Sequence, residues 1–486
     1  MDLWHEDRLL IDGELVAAEG GATYPSINPA TGEEVASAAD ASLGDTERAI
    51  AAARRAFDET DWATDVELRT RCLRQMHEGF LKEEAHLRAL MIAEVGVPEM
   101  LTHGPGLDVP TAMVEWYANL LDSYEFTEDL GEAESMGRIS HRWVEKEPVG
   151  VVSCIVPYNY PFQISIAKIA PALAAGCTVI LKAPPQTPLT TAAIGRVIHD
   201  HTDIPAGVIN VLTSSDVEVG KALVDDARVD MVSFTGSTPA GRAIMAAASP
   251  TVKKVFLELG GKSAFIVMDD CDLDIAAMLA SFTICSHAGQ GCAITSRVLV
   301  PESKKDEAAQ KIAEMLASVP YGDPTDPGTM MGPLITEEQR QKVDGYVQRA
   351  VAAGSKVAQG GKKVDGPGFF YEPTLLVDVD PDDAIAQEEV FGPVLALLTY
   401  TDEDDAVAIA NNSLFGLSGT VLGTDQDRAT AVARRLRVGT VSINGGMWYG
   451  PDAPFGGYKQ SGIGREMGVA GLEEYLESKT LATPVE

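Results

Sequence analysis

Hydrophobic and polar positions follow different spacings in successive parts of the chain. Residues 7–35 hold short apolar runs separated by turn residues, which predicts a few short strands. From residue 43 to about residue 122 the apolar positions recur at helical spacing. Two predicted apolar helix faces hold Ala49, Ala53 and Phe57, and Leu73, Met76, Phe80 and Leu81. Residues 126–148 are polar and then alternating, which predicts a hairpin that leaves the main body.

From residue 149 onward, short apolar runs alternate with helical segments. Four of these runs are predicted to be buried strands, at residues 150–156, 178–181, 208–212 and 231–234. A second block of the same kind begins near residue 260, includes a predicted helix over 273–287, and continues to about residue 443. Strands that alternate with helices form parallel sheets covered on both faces. The predicted fold class is therefore α/β, with ligands bound at the carboxyl ends of the strands.

Length and charge narrow the class of protein. The chain has 486 residues, which predicts two or three domains. Its longest nearly apolar run, residues 169–181, is too short to span a membrane. The first residues are acidic where a signal peptide would be basic, which favours a cytoplasmic protein. A formal net charge of −34 argues against a nucleic-acid or anionic-membrane partner. A salt-rich cytoplasm and an ordinary acidic proteome both explain that charge.

The six cysteines are too sparse for a disulfide scaffold, and they form no C-x-x-C pair. Together with eight scattered histidines they predict no metal site. One of them, Cys292, follows a predicted helix in a loop with Gly289 and Gly291, where backbone N–H groups could polarise a thiolate. A lone cysteine is more often a small buried residue. The residues alone leave both interpretations open.

Four further positions carry candidate chemistry, each with a structural alternative. Glu258 ends an apolar run, where partial desolvation would suit a general base, although a salt bridge would serve equally. Asn159 lies between two prolines and could donate to an oxyanion, or could simply form a turn. Ser237, which follows Gly236, begins a predicted helix whose amino end could bind phosphate. The same residues could instead form an ordinary turn between a strand and a helix. The pair at residues 260–261 predicts close approach of the backbone to a ligand.

Taken together, six segments of the chain resemble motifs of the aldehyde dehydrogenase superfamily. They occur in the family's order and at similar spacing, and the resemblance covers nearly the whole chain. The segments are Pro157-Tyr158-Asn159-Tyr160-Pro161, Phe234-Thr235-Gly236-Ser237-Thr238, Leu257-Glu258-Leu259-Gly260-Gly261-Lys262, Gly289-Gln290-Gly291-Cys292, Glu388-Glu389-Val390-Phe391-Gly392-Pro393 and Pro454-Phe455-Gly456-Gly457-Tyr458-Lys459, with Ser461-Gly462 behind the last.

The resemblance implies a fold and its domains. An aldehyde dehydrogenase-like α/β fold has a Rossmann-type cofactor domain, an α/β catalytic domain and a small β oligomerisation arm. Here the dinucleotide-binding domain would comprise residues 1–125 and 149–259. The catalytic domain would comprise residues 260–443, with 444–470 returning to the active site. The arm would comprise residues 126–148 and 471–486, and would build a homo-oligomer, either a dimer or a homotetramer made of two dimers.

The resemblance also implies catalytic roles. Cys292 would attack the aldehyde, and the Asn159 side chain with the Cys292 backbone N–H would form the oxyanion hole. Oxidation of that adduct would leave a thioester. Glu258 would activate the water that releases a carboxylic acid, and Lys168 and Glu466 would form a proton path to Glu258.

For the cofactor, the resemblance implies NAD, with NADP possible. Lys182 would hold a ribose hydroxyl, Ser237 a phosphate and Glu389 the second ribose, and Phe391 would pack near the nicotinamide. The other cofactor-binding positions would be Ile155, Pro157, Tyr158, Pro185 and Gly236. NAD-preferring relatives often carry a glutamate where this chain has Pro185, so repulsion of a 2′-phosphate is expected to be relaxed. Tyr158 stands where tryptophan is usual, a difference of little expected consequence.

Six positions match the substrate tunnel of the family, and they are mostly apolar. They are Tyr160, Ala167, Ile294, Trp448, Tyr449 and Phe455. Ala167 replaces a bulky aromatic residue found in several relatives, betaine aldehyde dehydrogenases among them, which disfavours a quaternary-ammonium substrate. The implied substrate is a medium-chain or aromatic aldehyde.

Two alternatives keep the same fold. A coenzyme A-acylating enzyme would release the acyl group to a thiol, and Glu258 argues against it because that transfer needs no such base. A non-enzymatic binding protein is disfavoured because Cys292, Glu258 and Asn159 are all present.

Overall fold

In the computed structural model, which describes residues 3–485, helices pack against two large sheets. The helices are α1 (Leu43–Glu59), α2 (Val66–Lys82), α3 (Glu84–Val95), α4 (Glu99–Leu101), α5 (Asp108–Leu121), α6 (Pro161–Ala175), α7 (Pro188–His201), α8 (Val217–Asp225), α9 (Thr238–Ala248), α10 (Leu273–Cys285), α11 (Lys305–Ser318), α12 (Glu337–Ala353), α13 (Ala384–Gln387), α14 (Glu403–Asn411), α15 (Gln426–Ala433) and α16 (Gly468–Glu473).

The strands are β1 (Leu9–Ile11), β2 (Glu14–Val16), β3 (Thr23–Ile27), β4 (Glu34–Ala39), β5 (Thr127–Ser135), β6 (Arg138–Pro148), β7 (Val151–Ile155), β8 (Thr178–Lys182), β9 (Ile209–Leu212), β10 (Met231–Thr235), β11 (Lys254–Glu258), β12 (Ser263–Val267), β13 (Thr295–Pro301), β14 (Lys356–Gln359), β15 (Thr374–Val377), β16 (Val394–Tyr400), β17 (Ser418–Leu422), β18 (Thr440–Ile443), β19 (Gly462–Ile463) and β20 (Leu476–Pro484). β3 and β4 form a separate antiparallel pair.

The first large sheet has eight strands in the order β19-β11-β10-β7-β8-β9-β1-β2. Its five central strands are parallel, and the pairs β9–β1, β1–β2 and β11–β19 at the edges are antiparallel. The chain proceeds from β7 through β8 to β9 on one side, and then returns to β10 and β11 on the other side of β7. The strand order therefore reverses between β7 and β10, which is where open α/β sheets bind ligands.

The second large sheet has seven strands in the order β14-β15-β16-β13-β12-β17-β18. All of its neighbouring strands are parallel except the pair of β14 with β15. Its central strands are buried apolar runs covered by helices on both faces, as a parallel sheet requires. The predicted α/β class, with two blocks of parallel strands, is confirmed.

The predicted hairpin at residues 126–148 is present as β5 and β6. The chain end adds β20 to it, with Leu476 opposite Pro148 and Pro484 opposite Ser140. Most side chains of these strands are partly or fully exposed. Within residues 3–485, no helix has both the length and the apolar character needed to cross a membrane.

Two details of the helical prediction were wrong. The helix expected over residues 273–287 ends at Cys285, because His287 and Ala288 both adopt positive φ angles of 47° and 52° that no α-helix accommodates. Leu81, expected on an apolar face, is 50% exposed, whereas Leu73 and Phe80 are fully buried. Residues 73, 76 and 80 form the buried face of α2, and residue 81 lies just outside that face.

Candidate active site

Elements of both large sheets meet at a cavity of about 380 Å³. From the first sheet come Asn159, after β7, Thr235 at the end of β10, and Glu258 at the end of β11. From the second sheet come Cys292, in the loop between α10 and β13, and Ser418 at the start of β17. The cavity therefore lies between the carboxyl ends of the first sheet and the amino ends of the second.

The loop that carries Cys292 is fixed by the side chain of Gln290, which is fully buried. The Gln290 amide group donates to the carbonyl oxygens of His287 (3.3 Å) and Pro333 (3.2 Å). Its side-chain oxygen accepts from the backbone N–H of Ile335 (3.0 Å). A buried amide with its donors and its acceptor all used holds the backbone on either side of it in one conformation.

The glycine pair Gly260-Gly261 allows a close approach, although the groups approached belong to this chain. A Cβ at Gly261 would lie 2.4 Å from the Cys292 carbonyl oxygen, and a Cβ at Gly260 would lie 2.5 Å from a carboxylate oxygen of Glu389. The Gly261 N–H donates to the other Glu389 oxygen (2.8 Å). The pair was predicted to approach a ligand; here it allows the Cys292 loop and Glu389 to pack together.

Cys292 is a partly exposed residue that lines the cavity, but its thiol is not polarised toward the thiolate. Burial, together with the negative charges of Glu258, Glu389 and Glu466, raises its pKa well above the ordinary thiol value. The sequence had suggested a thiolate favoured by backbone N–H groups, and the three carboxylates oppose that effect. At rest the sulfur is therefore protonated, and a base must remove the proton before it attacks.

Asn159 is buried beside this loop, and its amide nitrogen donates to the backbone carbonyl of Gln290 (2.8 Å). A primary amide has two N–H groups, so the second remains for a group in the cavity. Pro161 begins α6 two residues later, with its fixed φ suited to the first helical position. Asn159 is thus fixed between β7 and α6 and also by the Cys292 loop.

Glu258 is 1% exposed and lines the same cavity as Cys292. Burial and the negative charge of Glu466 raise the pKa of Glu258 well above its ordinary value, while Lys168 and the nearby Cys292 thiol act in the opposite direction. A carboxylate without a hydration shell, beside a thiol and an open cavity, is suited to accept a proton near neutral pH.

Behind Glu258 the two remaining predicted catalytic residues lie next to each other. The Lys168 ammonium is 3.5 Å from a carboxylate oxygen of Glu466 and donates to the Ser233 hydroxyl (3.3 Å). Burial raises the pKa of Glu466, and the charge of Lys168 lowers it. Phe455 exchanges two backbone hydrogen bonds of 2.8 Å with Glu466 and so fixes its position. Glu258, Glu466 and Lys168 therefore form a row of ionisable groups from the cavity into the core.

A second space, a cleft of about 670 Å³, lies between α8 and α9 where the strand order of the first sheet reverses. Ser237 caps the start of α9 there by accepting from the Ala240 N–H (3.4 Å). Thr235 lines both the cleft and the cavity, so the two spaces meet beside this residue. Seven of the predicted cofactor residues line the cleft, namely Ile155, Pro157, Tyr158, Lys182, Pro185, Gly236 and Ser237.

The remaining two predicted cofactor residues lie beside the cleft rather than in its lining. Glu389 is held by the Gly261 N–H, and burial raises its pKa. The Phe391 ring is 6.0 Å from the Tyr158 ring at an angle of 86°, an edge-to-face contact. Phe391 has a φ of 58°, and its carbonyl oxygen accepts from the Gln339 side chain (2.7 Å). A positive φ is costly for a bulky residue, so neighbouring contacts maintain this conformation.

Five of the six predicted tunnel residues line the cavity: Tyr160, Ile294, Trp448, Tyr449 and Phe455. The rings of Trp448 and Phe455 are stacked, with centroids 5.3 Å apart and planes inclined by 7°. The sixth, Ala167, is 2% exposed and packs in the core that surrounds α6.

Sequence reasoning missed the roles of three residues around the Cys292 loop, namely Thr235, Gln290 and Arg297. Thr235 had only its position before Gly236 as a signal, and Gln290 only its place between two glycines. The role of Arg297, five residues after Cys292, had no sequence signal: its guanidinium is buried and donates to the carbonyls of Lys262 and Ala410, both at 2.9 Å. These contacts join segments far apart in the chain.

Comparisons with known proteins identify the family of this chain. The model of the aldehyde dehydrogenase family matches residues 15–481. Betaine aldehyde dehydrogenase of Bacillus subtilis (strain 168) is 39% identical over 479 residues, which cover 97% of this chain and 96% of that protein.

Solved structures show the same similarity. Betaine aldehyde dehydrogenase from Staphylococcus aureus, in complex with NAD+, superposes with a TM-score of 0.95 at 38% identity, covering 99% of this chain and 95% of that chain. A cysteine-to-alanine variant of Aldehyde Dehydrogenase C from Pseudomonas syringae, in complex with NAD+ and octanal, gives a TM-score of 0.92 at 37% identity, with 98% and 96% covered. This chain is accordingly a member of the aldehyde dehydrogenase family.

Proposed function

We propose that this protein oxidises an aldehyde to a carboxylic acid with NAD, through a thioester on Cys292 that is hydrolysed with Glu258 as general base. One observation carries the proposal. A thiol, an amide donor and a desolvated carboxylate line the same cavity, and that cavity meets a dinucleotide-sized cleft beside Thr235. This is the arrangement that a two-substrate reaction at a cysteine requires.

The first step forms a bond between the Cys292 sulfur and the aldehyde carbon. The thiol proton must leave as the sulfur attacks, and Glu258 is the carboxylate we assign to take it, because Glu258 lines the same cavity as Cys292 and influences the pKa of that thiol. The aldehyde oxygen becomes negatively charged in this adduct, and the free N–H of Asn159 donates to it. Because the other N–H of Asn159 is already held by Gln290, the donor is in position before substrate arrives.

The cofactor cleft fits a dinucleotide by its own chemistry. The amino end of α9 can bind a phosphate, Lys182 presents a buried ammonium at the end of β8, and the cleft lies at the strand reversal. When bound, the nicotinamide ring accepts the hydride whose removal turns the adduct into a thioester. NAD is our choice because the similar Staphylococcus aureus and Pseudomonas syringae proteins bind NAD+.

The last step is hydrolysis. Before this step Glu258 must pass the Cys292 proton on toward Glu466. Glu258 then takes a proton from a water molecule as the water oxygen attacks the thioester carbon, and the carbon–sulfur bond breaks to release the carboxylic acid and the Cys292 thiolate, which takes up a proton to restore the thiol. The proton on Glu258 then passes toward Glu466 and Lys168, which are 3.5 Å apart. A thiol acceptor such as coenzyme A would not require this base, so water is the proposed acceptor.

The proposed substrate is a medium-chain or aromatic aldehyde. Aromatic rings and Ile294 form much of the cavity lining, and the Pseudomonas syringae relative was crystallised with octanal. Aromatic rings also attract quaternary ammonium groups, and the Bacillus subtilis relative is a betaine aldehyde dehydrogenase. Betaine aldehyde is therefore the second candidate, and the test must include it.

We also propose boundaries for the domains and an arm through which copies of the chain assemble. The cleft belongs to residues 1–125 and 149–259, and the Cys292 loop to residues 260–443, with residues 444–470 returning to the cavity. The sheet of β5, β6 and β20 is the arm through which copies of this chain assemble. Its extended, partly exposed antiparallel strands support that role.

The test measures NADH and NADPH formation by absorbance with octanal, benzaldehyde, a semialdehyde and betaine aldehyde, each with and without coenzyme A. We expect turnover without coenzyme A, highest with octanal or benzaldehyde, and its complete loss in Cys292→Ala. Cys271→Ala is the matched control, because Cys271 is the other partly exposed cysteine and lies outside the cavity. Turnover only with coenzyme A would overturn the role of Glu258. Equal turnover by wild type and Cys292→Ala would overturn the mechanism.

A further inference from the structure

Lys182 ends β8 in the cleft, and two carboxylates act on its ammonium group. The Lys182 side chain is 6% exposed, and its Nζ donates to the Ala183 carbonyl (2.8 Å). Burial lowers the pKa of Lys182 to about 8, and the negative charges of Asp40 and Asp216 act in the opposite direction. Asp216 lines the cleft together with Lys182, and Asp40 accepts hydrogen bonds from the two residues just before Asp216, so both carboxylates can influence a group bound beside Lys182.

Asp216 is held in place by the start of α8. It is the N-cap of that helix, where its carboxylate accepts from the Glu218 N–H (2.9 Å). It lines the cleft together with Lys182 and Pro185. The first turns of α8 pack directly on Lys182, since a Cβ at Gly220 would lie 3.7 Å from two carbon atoms of the lysine side chain.

Asp40 reaches the same end of the cleft from a different element, the segment after β4. Its carboxylate accepts from the Ser215 N–H (2.9 Å), the Ser215 hydroxyl (2.7 Å) and the Ser214 hydroxyl (3.0 Å). Asp40 thus fixes the two residues that precede Asp216. The two carboxylates form one acidic group whose position is set by hydrogen bonds.

The cation that could offset this acidic group is already paired. Lys221 lines the cleft one turn along α8, and its ammonium is 2.6 Å from a carboxylate oxygen of Glu218. A 2′-phosphate placed beside Lys182 would therefore meet the fixed carboxylates of Asp216 and Asp40 without a free lysine on α8 to balance them.

We infer that Asp216, with Asp40 behind it, makes this cleft select NAD over NADP by repelling a 2′-phosphate. The inference rests on the proposed function in one respect, namely that the cleft binds a dinucleotide. In many dinucleotide-binding folds a carboxylate near the adenosine ribose accepts from its hydroxyl and repels the phosphate. Pro185 leaves this chain without the glutamate that often does so in the family. Asp216 supplies a negative charge from a different element. We therefore expect the cleft to discriminate against NADP, although the absence of that glutamate had predicted weaker discrimination.

The test changes the charge of Asp216 and preserves its cap. Asn caps helices as well as Asp does, so Asp216→Asn removes the charge and leaves the start of α8 intact. Affinities for NADH and NADPH are measured by the fluorescence of the reduced nicotinamide on binding, without any aldehyde. We expect NADPH to bind about tenfold more tightly to Asp216→Asn than to wild type. Adding Asp40→Asn should raise the NADPH affinity further, because each substitution removes one unit of negative charge. The affinity for NADH is expected to change less than about threefold. A threefold change corresponds to only a small fraction of the free energy with which NADH binds.

Asp404→Asn is the control for net charge, because Asp404 is exposed on α14 and far from the cleft. It should leave both affinities unchanged. If Asp216→Asn melts at a lower temperature, Asp216→Ser provides a second uncharged cap. Unchanged NADPH affinity in these variants, or an equal change for both dinucleotides, would overturn the inference while leaving the cofactor site in place. If wild type binds neither dinucleotide, the cofactor site and the inference are both wrong.

Discussion

At the scale of single residues, the proposed chemistry depends on two acids that hold their protons more tightly than usual. Burial raises the pKa of both Glu258 and Cys292 well above their ordinary values. Both groups act after losing a proton, so activity should rise with pH, and the rise should lie at higher pH than a free carboxyl group would give. Steady-state rates and the pre-steady-state formation of NADH, measured across pH 5–10, test this expectation.

In Glu258→Gln the steady-state rate should fall by about 10²–10⁴-fold, the usual contribution of a general base. The burst of NADH should also form more slowly than in wild type, because Glu258 is the proposed acceptor of the Cys292 proton as well as the base for hydrolysis. Glu474→Gln is the control, since Glu474 is a partly buried carboxylate outside the cavity whose pKa burial also raises. A slow variant whose burst forms at the wild-type rate would show that Glu258 acts only in hydrolysis and that another group takes the Cys292 proton.

Sequence predicted the reactive residues better than it predicted their electrostatic setting. Cys292, Glu258 and Asn159 lie in motifs, so resemblance alone indicated them, and the structure brings all three to one cavity. The raised thiol pKa could not be predicted, because it arises first from burial and then from the charges of Glu258, Glu389 and Glu466, which are 34, 97 and 174 positions away in the printed sequence. Asp216 was missed for the same reason, since its importance lies in its nearness to Lys182.

At the scale of elements, Glu94 joins three parts of the first sheet's surroundings. It is fully buried at the end of α3, and its carboxylate accepts from the Leu189 N–H (2.6 Å), the Thr190 N–H (2.8 Å) and the Thr190 hydroxyl (2.7 Å). It also accepts from Ser26 on β3 (3.1 Å). Helix α7 has no side-chain cap of its own, so Glu94 supplies the acceptor for its first N–H groups.

Glu94→Gln should therefore lower the free energy of unfolding by about 1–3 kcal/mol, because an amide N–H₂ would face donors that lose their acceptor. The midpoint of urea denaturation measures this change. Glu78→Gln on the exposed side of α2 provides the comparison and should change stability by less than about 0.5 kcal/mol. A destabilisation of equal size in both variants would mean that the bonds to α7 contribute nothing specific.

The prediction of helices and strands succeeded where a regular spacing of apolar residues continued. It failed where the backbone adopts a strained conformation. The alternation of apolar runs and helices located the parallel strands of the first sheet, since a strand buried on both faces is a nearly continuous apolar run. The end of α10 could not be located, because His287 and Ala288 adopt a left-handed conformation that is maintained by packing rather than by residue type. The cap that Glu94 provides to α7 was equally hidden, as it crosses 95 positions of the chain.

At the scale of the whole molecule, the charge is the dominant feature. The chain has 72 acidic and 38 basic side chains, so even if every Lys and Arg paired with one carboxylate, 34 negative charges would remain unpaired. Local pairs exist, such as Arg228 with Asp226 and Glu47, and Arg428 with Asp269 and Glu403. Exposed pairs of this kind each contribute about 0–1 kcal/mol. Repulsion among the unpaired carboxylates should therefore exceed the attraction within pairs.

Salt should accordingly stabilise this protein at neutral pH. Raising NaCl from about 0.05 M to about 1 M shortens the screening length from more than 10 Å to about 3 Å, which weakens long-range repulsion more than attraction between touching groups. The melting temperature at pH 7.5 should rise over this range, and the rise should shrink near pH 5, because the net charge approaches zero toward the isoelectric point of about 4.5. A fall in melting temperature with salt at pH 7.5 would show that the ion pairs dominate. Unfolding below about 0.05 M NaCl would favour a salt-rich cytoplasm as the origin of the acidic surface, whereas a fold that persists there would favour an ordinary acidic proteome.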